Sequence, residues 1–238
     1  MVSRTSLTEA VRAFDCASVA AGLAEKPDLV TLRDARGRNW LHQCCATKLD
    51  GCRAAGASIR LADLLLGQGL GLDDAAFTEG AWCATPLWFA IAWGQNLALA
   101  EHLLERGASP EYSLFAAAWN ESRDAIRLLL RYGASIEDDA NPHETPLFGA
   151  GAWSKFGPAE ELLLAGANPD FRDPKGRTAL HLMLKKGSTL EHFAMFVRAG
   201  ARGDIPDADG RTAIDLLRRK RDPAYRAIAG SLVQASAS

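Results

Sequence analysis

The chain has 238 residues, of which 48% are hydrophobic and 24% charged, proportions typical of globular proteins that bury a sizeable core. Its formal net charge of −2 at pH 7 argues against bulk attraction to nucleic acid or to an anionic membrane. No segment has the apolar length of a signal peptide or a membrane-spanning helix, so we expect a soluble, cytoplasmic protein.

The cysteines predict neither a disulfide framework nor a metal site. They are five in number, and no two of them form a CxxC pair, which fits a reducing compartment. His42, Cys44, Cys45 and Cys52 lie close in sequence, but their spacing matches no usual zinc pattern. We therefore predict no metal ion and no cofactor, with Cys44 and Cys45 as small core residues.

A pattern of roughly 33 residues recurs along the chain, a period typical of repeat proteins. Thr145, Thr178 and Thr212 open units that are 33 and 34 residues apart. Threonine is a good helix N-cap, and the proline that follows Thr145 fits the first turn of a helix. Five units close with a glycine suited to a left-handed C-cap, most of them after a leucine run, at Gly69, Gly107, Gly133, Gly166 and Gly200.

These units resemble the ankyrin repeat family, whose signature is T-P-L-H-x-A. The motif is partial in each unit, which reads Asn39-Trp40-Leu41-His42, Thr85-Pro86-Leu87, Thr145-Pro146-Leu147 or Thr178-Ala179-Leu180-His181. The turn signature D-x-x-G begins at Asp34, Asp173 and Asp207. The resemblance covers about residues 8–234, and it implies an all-α ankyrin-repeat solenoid of stacked helix-turn-helix units joined by loops or β-hairpins.

In chain order, we predict a single ankyrin-repeat domain over residues 1–238. An N-terminal cap at about 7–33 precedes five repeats and a C-terminal cap at about 207–234. The repeats lie at about 34–70, 80–110, 111–136, 140–170 and 173–203. Insertions within 48–60 and 72–84 break the period, and the sequence leaves open whether they lie open or fold over the groove.

Three successive units carry a tryptophan near the end of the first helix. Counted from the leucine after the opening residue, Trp93 and Trp153 hold position 7 and Trp119 holds position 6. The resemblance implies that these positions face a concave groove that contacts a partner, and that Trp82 lies on a loop bordering that groove. Because tryptophan is enriched at binding hot spots, we predict that all four contact a partner. The alternative is that they pack beneath the inserted loops or against neighbouring units.

Other residues divide into contact candidates and structural ones. Lys185 and Lys186 are predicted to contact the partner at the far end of the groove, and Lys175 and Arg177 to do so from a hairpin tip. His42 and His181 keep the family histidine and are expected to be structural. The basic run at 218–221 is expected to be a solvated capping face. Trp88, Phe115 and Phe148 replace the histidine and are expected to pack.

The predicted function is a protein–protein interaction module, a scaffold or adaptor that binds a partner protein through the concave groove and hairpin tips, without catalysis and as a monomer. The chain has no H-E-x-x-H, no G-x-S-x-G and no glycine-rich phosphate loop. Two alternatives remain. One is a small-molecule-binding or enzymatic variant, in which the insertions close a pocket over the tryptophans. The other is a translocated effector or inhibitor that binds a specific target protein.

Overall fold

The computed structural model describes residues 2–49, 55–79, 82–138, 144–184 and 188–236. Within these ranges the fold is all-α, apart from a short antiparallel hairpin of β1 (Thr78–Glu79) and β2 (Trp82–Cys83). The predicted all-α repeat fold is therefore confirmed. None of the helices in this part of the chain combines the length and the hydropathy that a membrane crossing requires.

The helices follow one another in short pairs, as the repeat pattern predicts. They are α1 (Arg4–Arg12) and α2 (Cys16–Glu25), α3 (Trp40–Ala46) and α4 (Ala55–Gly67), α5 (Pro86–Phe89) and α6 (Leu97–Glu105), α7 (Leu114–Trp119) and α8 (Arg123–Arg131), α9 (Pro146–Ala152) and α10 (Phe156–Leu164), α11 (Ala179–Met183) and α12 (Leu190–Arg198), and α13 (Ala213–Arg218) and α14 (Pro223–Ser236). A 3₁₀ turn covers Pro27–Thr31, and α5 continues into a π-helical turn, Ala90–Gly94.

The chain divides into two compact units. Unit 1 comprises Met1–Ala116 and Arg131–Ala134, and unit 2 comprises Ala117–Leu130 and Ser135–Ser238. Each unit has its own buried apolar residues, which include Trp40 in unit 1 and Phe193 in unit 2. The assignment of the whole chain to one domain stays a prediction.

The first helices begin where the sequence predicts. The side chains of Thr85 and Thr145 accept hydrogen bonds from backbone N–H groups three residues on, and Asn39 does the same for α3. Thr178 and Thr212 form capping boxes at the starts of α11 and α13. These side chains satisfy N–H groups that have no partner within the helix, so they fix the start of each repeat.

The closing glycines have the left-handed backbone that the cap assignment requires. Gly133 has φ 86° and Gly166 has φ 91°, a region that side chains with a Cβ rarely enter. The other glycines predicted to close helices share this conformation, at Gly69, Gly107 and Gly200. The predicted C-caps are confirmed, and each reverses the chain at the end of a second helix.

Small residues bring the first helices close together in the core. A Cβ atom on Gly151 of α9 would lie 3.0 Å from the Cβ of Ala179 on α11, so the two helices pack with almost no side chain between them. The leucine near the start of each first helix is almost fully buried, at Leu41, Leu87, Leu114, Leu147 and Leu180. The same packing positions the ends of α7 and α9, where Trp119 and Trp153 lie.

Candidate functional site

The tryptophans predicted to contact a partner differ in exposure. In unit 1, Trp82 and Trp93 are half-buried. In unit 2, Trp119 and Trp153 are 50% and 49% exposed. Since so large an exposed fraction is unusual for an indole, the two groups call for different explanations.

In unit 1 the hairpin of β1 and β2 folds onto the first helix of the following repeat. The ring of Trp82 lies 5.2 Å from Phe77 and 5.2 Å from Trp88, in both cases edge to face. Phe77 also contacts Phe89, with ring centroids 6.1 Å apart. Aromatic pairs in this geometry are worth about 0.5–1.5 kcal/mol beyond their area burial. The described part of the 72–84 insertion is therefore packed over these aromatic residues.

Trp93 lies at the edge of this aromatic cluster. Its ring is 5.0 Å from that of Phe89 and 6.3 Å from that of Trp88. The guanidinium carbons of Arg38 and Arg36 lie 5.3 Å and 5.9 Å from the centre of the Trp93 ring, within range of a cation–π interaction. Trp93 therefore packs against aromatic rings and also lies next to two arginine side chains.

The backbone before Trp93 is not a regular α-helix, so counting residues from Leu87 does not place this side chain correctly. The π-helical turn ends with Gln95 in the left-handed conformation, and the N–H of Gln95 donates to the carbonyl oxygen of Ala90. The corresponding left-handed residues are Glu121, two residues after Trp119, and Ser154, one residue after Trp153. Counted from this turn, Trp93 corresponds to Trp119, because the π turn adds one residue to the helix. The count from the leucine assumes a regular α-helix, so it does not give the direction of the Trp93 side chain.

In unit 2, Trp119 and Trp153 form an exposed pair. Their ring centroids are 5.5 Å apart and the rings are inclined by 74°. Trp119 is the last residue of α7 and Trp153 is the C-cap of α9, so two consecutive first helices bring them together. The ammonium of Lys155 lies 6.0 Å from the centre of the Trp119 ring and 2.6 Å from a carboxylate oxygen of Glu121. The helix ends thus position the two rings side by side, and the Lys155–Glu121 ion pair lies beside them.

The hairpin-tip candidates differ from each other. Lys175 is exposed, whereas Arg177 donates to the Asp173 carboxylate at 2.6 Å and 2.8 Å. Partial burial works to raise the pKa of Asp173, but hydrogen bonds from Arg177 and from backbone N–H groups outweigh it, and the pKa is lowered. Arg177 therefore stabilises the turn, while Lys175 projects from it.

The basic candidates at the far end are described only in part. Lys185 and Lys186 lie outside the described residues. The basic run Arg218–Arg221 is exposed, and in it the ammonium of Lys220 lies 6.0 Å from the ring of Tyr225. This exposure agrees with the expected capping face.

Two histidines use both ring nitrogens to hold the backbone. In His42, Nδ1 accepts from the N–H of Asn39 and Nε2 lies 2.8 Å from the carbonyl oxygen of Asp74. In His181, Nδ1 accepts from the N–H of Thr178 and Nε2 lies 3.1 Å from the carbonyl oxygen of Arg211. Burial lowers the pKa of His42 to about 4 and also lowers the pKa of His181. Both rings are structural, as expected.

The cysteine-rich segment has the character of a packed core. Cys44 and Cys45 are fully buried, and burial raises the pKa of both thiols. Cys52 lies outside the described residues. Within the described ranges, no three histidine, cysteine or acidic side chains come together as a metal site.

Sequence reasoning missed the cationic residues next to Trp93. Arg36 and Arg38 flank the glycine of the turn that begins at Asp34, and a carboxylate oxygen of Asp34 lies 2.7 Å from the guanidinium of Arg38. The sequence contains a signal for them, because two arginines flank this glycine and the ankyrin resemblance implies that such turns border the groove. Their position over an indole depends on the π turn, which the repeat pattern does not reveal.

Comparison with known proteins finds similarity in structure. No protein-family profile matches the sequence, and no curated protein matches it. The human ASB11 ankyrin repeat domain has a TM-score of 0.72 at 22% identity, over 98% of this chain and 98% of that one. The ankyrin repeat domain of Bcl-3 has a TM-score of 0.72 at 20% identity, over 96% of this chain and 99% of that one.

A bacterial structure shows the same similarity. An ankyrin repeat domain from Acinetobacter baumannii has a TM-score of 0.63 at 23% identity, over 82% of this chain and 97% of that one. The chain therefore has the ankyrin repeat fold, an all-α solenoid of helical pairs.

Proposed function

We propose that the protein is a protein–protein interaction module, and that Trp119 and Trp153 are the principal contact for its partner. One observation carries the proposal: two indole side chains touch each other while about half of each remains exposed. Exposed apolar patches on folded proteins usually mark interaction sites, and tryptophan dominates binding hot spots because it buries a large area with few rotatable bonds.

The surroundings of the pair favour a preformed contact surface. Trp119 ends α7 and Trp153 caps the end of α9, and a left-handed residue follows each of them closely, Glu121 in one case and Ser154 in the other. The ion pair between Lys155 and Glu121 adds a polar rim beside the Trp119 ring. Because both backbones are already ordered, binding costs little further conformational entropy, which favours affinity.

The proposal also includes the other predicted contact residues, but the structure supports them to different degrees. Trp93 and Lys175 keep accessible surface and are proposed as secondary contacts. Trp82 also packs the β1–β2 hairpin and Arg177 also pairs with Asp173, so a partner would contact side chains that already stabilise their own loops. Lys185 and Lys186 are proposed contacts on their sequence alone. The proposal includes no catalytic step, and it assumes a cytoplasmic monomer.

The test compares the pair with other exposed apolar residues. Wild-type protein and a Trp119→Ala, Trp153→Ala variant serve as bait in native lysate. Proteins retained by the wild type are then purified, and their affinities for the wild type and for the variant are measured. We expect the affinity of such a partner to fall by at least about tenfold, the loss typical of a hot spot.

The matched control is Leu164→Ala with Val233→Ala, which removes exposed apolar side chains outside the pair. This control should bind like the wild type. A partner that binds the folded double tryptophan variant with unchanged affinity would contradict the proposal.

A further inference from the structure

A cavity of about 420 Å³ lies in unit 1 where the ends of two first helices meet the π turn. Arg12 is the last residue of α1, Thr47 and Lys48 follow α3, and Trp93 lies in the π turn. Together with Arg38 and Gln43, these residues line the cavity. Its volume is within the range of pockets that hold small ligands or a few side chains.

The lining is cationic. Arg12, Arg38 and Lys48 contribute positive charge, and none of the described residues that line the cavity is acidic. This charge is local, since the whole chain carries a net charge of −2. Arg38 is paired with Asp34. Arg12 and Lys48 are exposed, and within the described ranges their side chains have neither an ion pair nor a hydrogen bond.

The indole of Trp93 adds an unused donor. Within the described part of the chain its N–H has no acceptor, although the ring is half-buried. This N–H is not among the buried polar atoms that lack a partner, so it is open to solvent and can donate to a bound ligand. An anionic oxygen in the cavity would accept from it and would also face the two unpaired cations.

We propose that this cavity binds the carboxylate side chains of an acidic peptide segment of a partner protein. The carboxylates pair with Arg12 and Lys48, and one of them accepts from the indole N–H of Trp93.

The helix ends decide between a peptide and a small inorganic anion. Arg12 ends α1 and Thr47 caps the end of α3, so the negative ends of two helix dipoles lie beside the cavity. An isolated phosphate is disfavoured there, because no helix N-terminus among the lining residues supplies backbone donors. A peptide brings carboxylates for the cations and also backbone N–H groups, whose polarity suits the negative helix ends.

The inference rests on the proposed function only in that a partner protein would carry the segment. Its residues lie in unit 1, whereas the exposed tryptophan pair lies in unit 2. Binding of an isolated peptide needs no partner protein. Failure of one proposal is therefore distinguishable from failure of the other.

The test is a titration followed by the indole N–H signal of Trp93 in ¹⁵N-labelled protein. A Trp93→Phe variant assigns the signal. The probe is a peptide of four glutamates with blocked ends, and the comparison probes are the corresponding glutamine peptide and inorganic phosphate at equal ionic strength. We expect a saturable shift with the glutamate peptide alone, and weaker binding at higher salt.

An Arg12→Ala variant should bind the glutamate peptide roughly tenfold more weakly, since it loses a charge-assisted hydrogen bond. Arg4→Ala, at the opposite end of the same helix, is the matched control and should bind like the wild type. Lys48→Ala should weaken binding in the same direction as Arg12→Ala.

Three results would overturn the proposal. One is an equal shift with the glutamine peptide, and another is equal affinity for phosphate. The third is unchanged peptide binding by the folded Arg12→Ala variant.

Discussion

The α-carbon of Gly94 packs against the carbonyl oxygen of Cys45, and a Cβ atom on Gly94 would collide with that oxygen. Gly94 ends the π turn that holds Trp93, and Cys45 lies in α3 of the preceding repeat. The contact joins two consecutive first helices of unit 1 through their backbones. It therefore explains why a glycine occupies this place.

Gly94→Ala should destabilise the protein by about 2 kcal/mol or more, because the obstacle is backbone that cannot move aside cheaply. Chemical denaturation measures the change in the free energy of unfolding. The control is Gly230→Ala in α14, where a Cβ meets nothing within 4 Å and alanine improves helix propensity. Gly230→Ala should be neutral or stabilising, and equal effects at both sites would contradict the packing argument.

Gly166→Val should lower the free energy of unfolding by roughly 1 kcal/mol or more, because a β-branched residue is strained at φ 91°. A Cβ atom there has no neighbour within 4 Å, so the cost comes from the backbone conformation. Gly166→Asn should cost less, since asparagine tolerates the left-handed region. If both variants unfold at the same denaturant concentration, the conformational explanation fails.

Replacing both Trp119 and Trp153 by alanine should change the free energy of unfolding only slightly, because each ring keeps about half of its surface exposed. Their mutual contact is worth about 0.5–1.5 kcal/mol, which a double-mutant cycle measures. Trp40→Ala is the comparison. Trp40 is 1% exposed and its N–H donates to the carbonyl oxygen of Leu29, so this variant should lose about 3–5 kcal/mol. A double variant as unstable as Trp40→Ala would place the pair in the core.

Stability should fall as the pH decreases from about 6.5 to about 4, because of His42. Its pKa in the folded protein is about 4, against 6.5 in an unfolded chain, so the unfolded state binds more protons in this window. The loss from His42 amounts to at most about 3 kcal/mol. His181 contributes in the same direction.

Thermal unfolding of wild type and of His42→Gln across this pH range measures the effect. The variant is less stable at neutral pH but has a shallower pH dependence between 6.5 and 4. Carboxylates with lowered pKa values, such as Asp34 and Asp173, lose their contribution at still lower pH, so they fall outside this window. An identical slope for both proteins would contradict the assignment to His42.

The repeat pattern predicted the fold because its signals are local. Thr85 caps a helix through its own side chain, and Gly166 reverses the chain through its own φ, so single residues disclose helix starts and ends. The exposure of Trp119 follows from the same periodicity.

The surroundings of Trp93 could not be predicted in this way. One extra residue in a π turn changes the direction of a side chain without changing the apolar pattern. The contact of Phe77 with Trp88 also depends on how an insertion folds back, which involves residues eleven positions apart and no repeated signal. A period describes what the units share, and these features belong to one unit.

His42 and His181, which hydrogen-bond to the backbone through both ring nitrogens, should make unfolding more cooperative. Each ring caps its own helix and also holds a backbone carbonyl roughly one repeat further on, at Asp74 or Arg211. Local opening of one repeat therefore exposes an unsatisfied polar group in its neighbour, which couples their unfolding. Phe115 and Phe148 stand at the same position and have no side-chain hydrogen-bonding atom. Nearest-neighbour coupling is therefore uneven along the chain, and amide exchange should begin in the repeats of those phenylalanines.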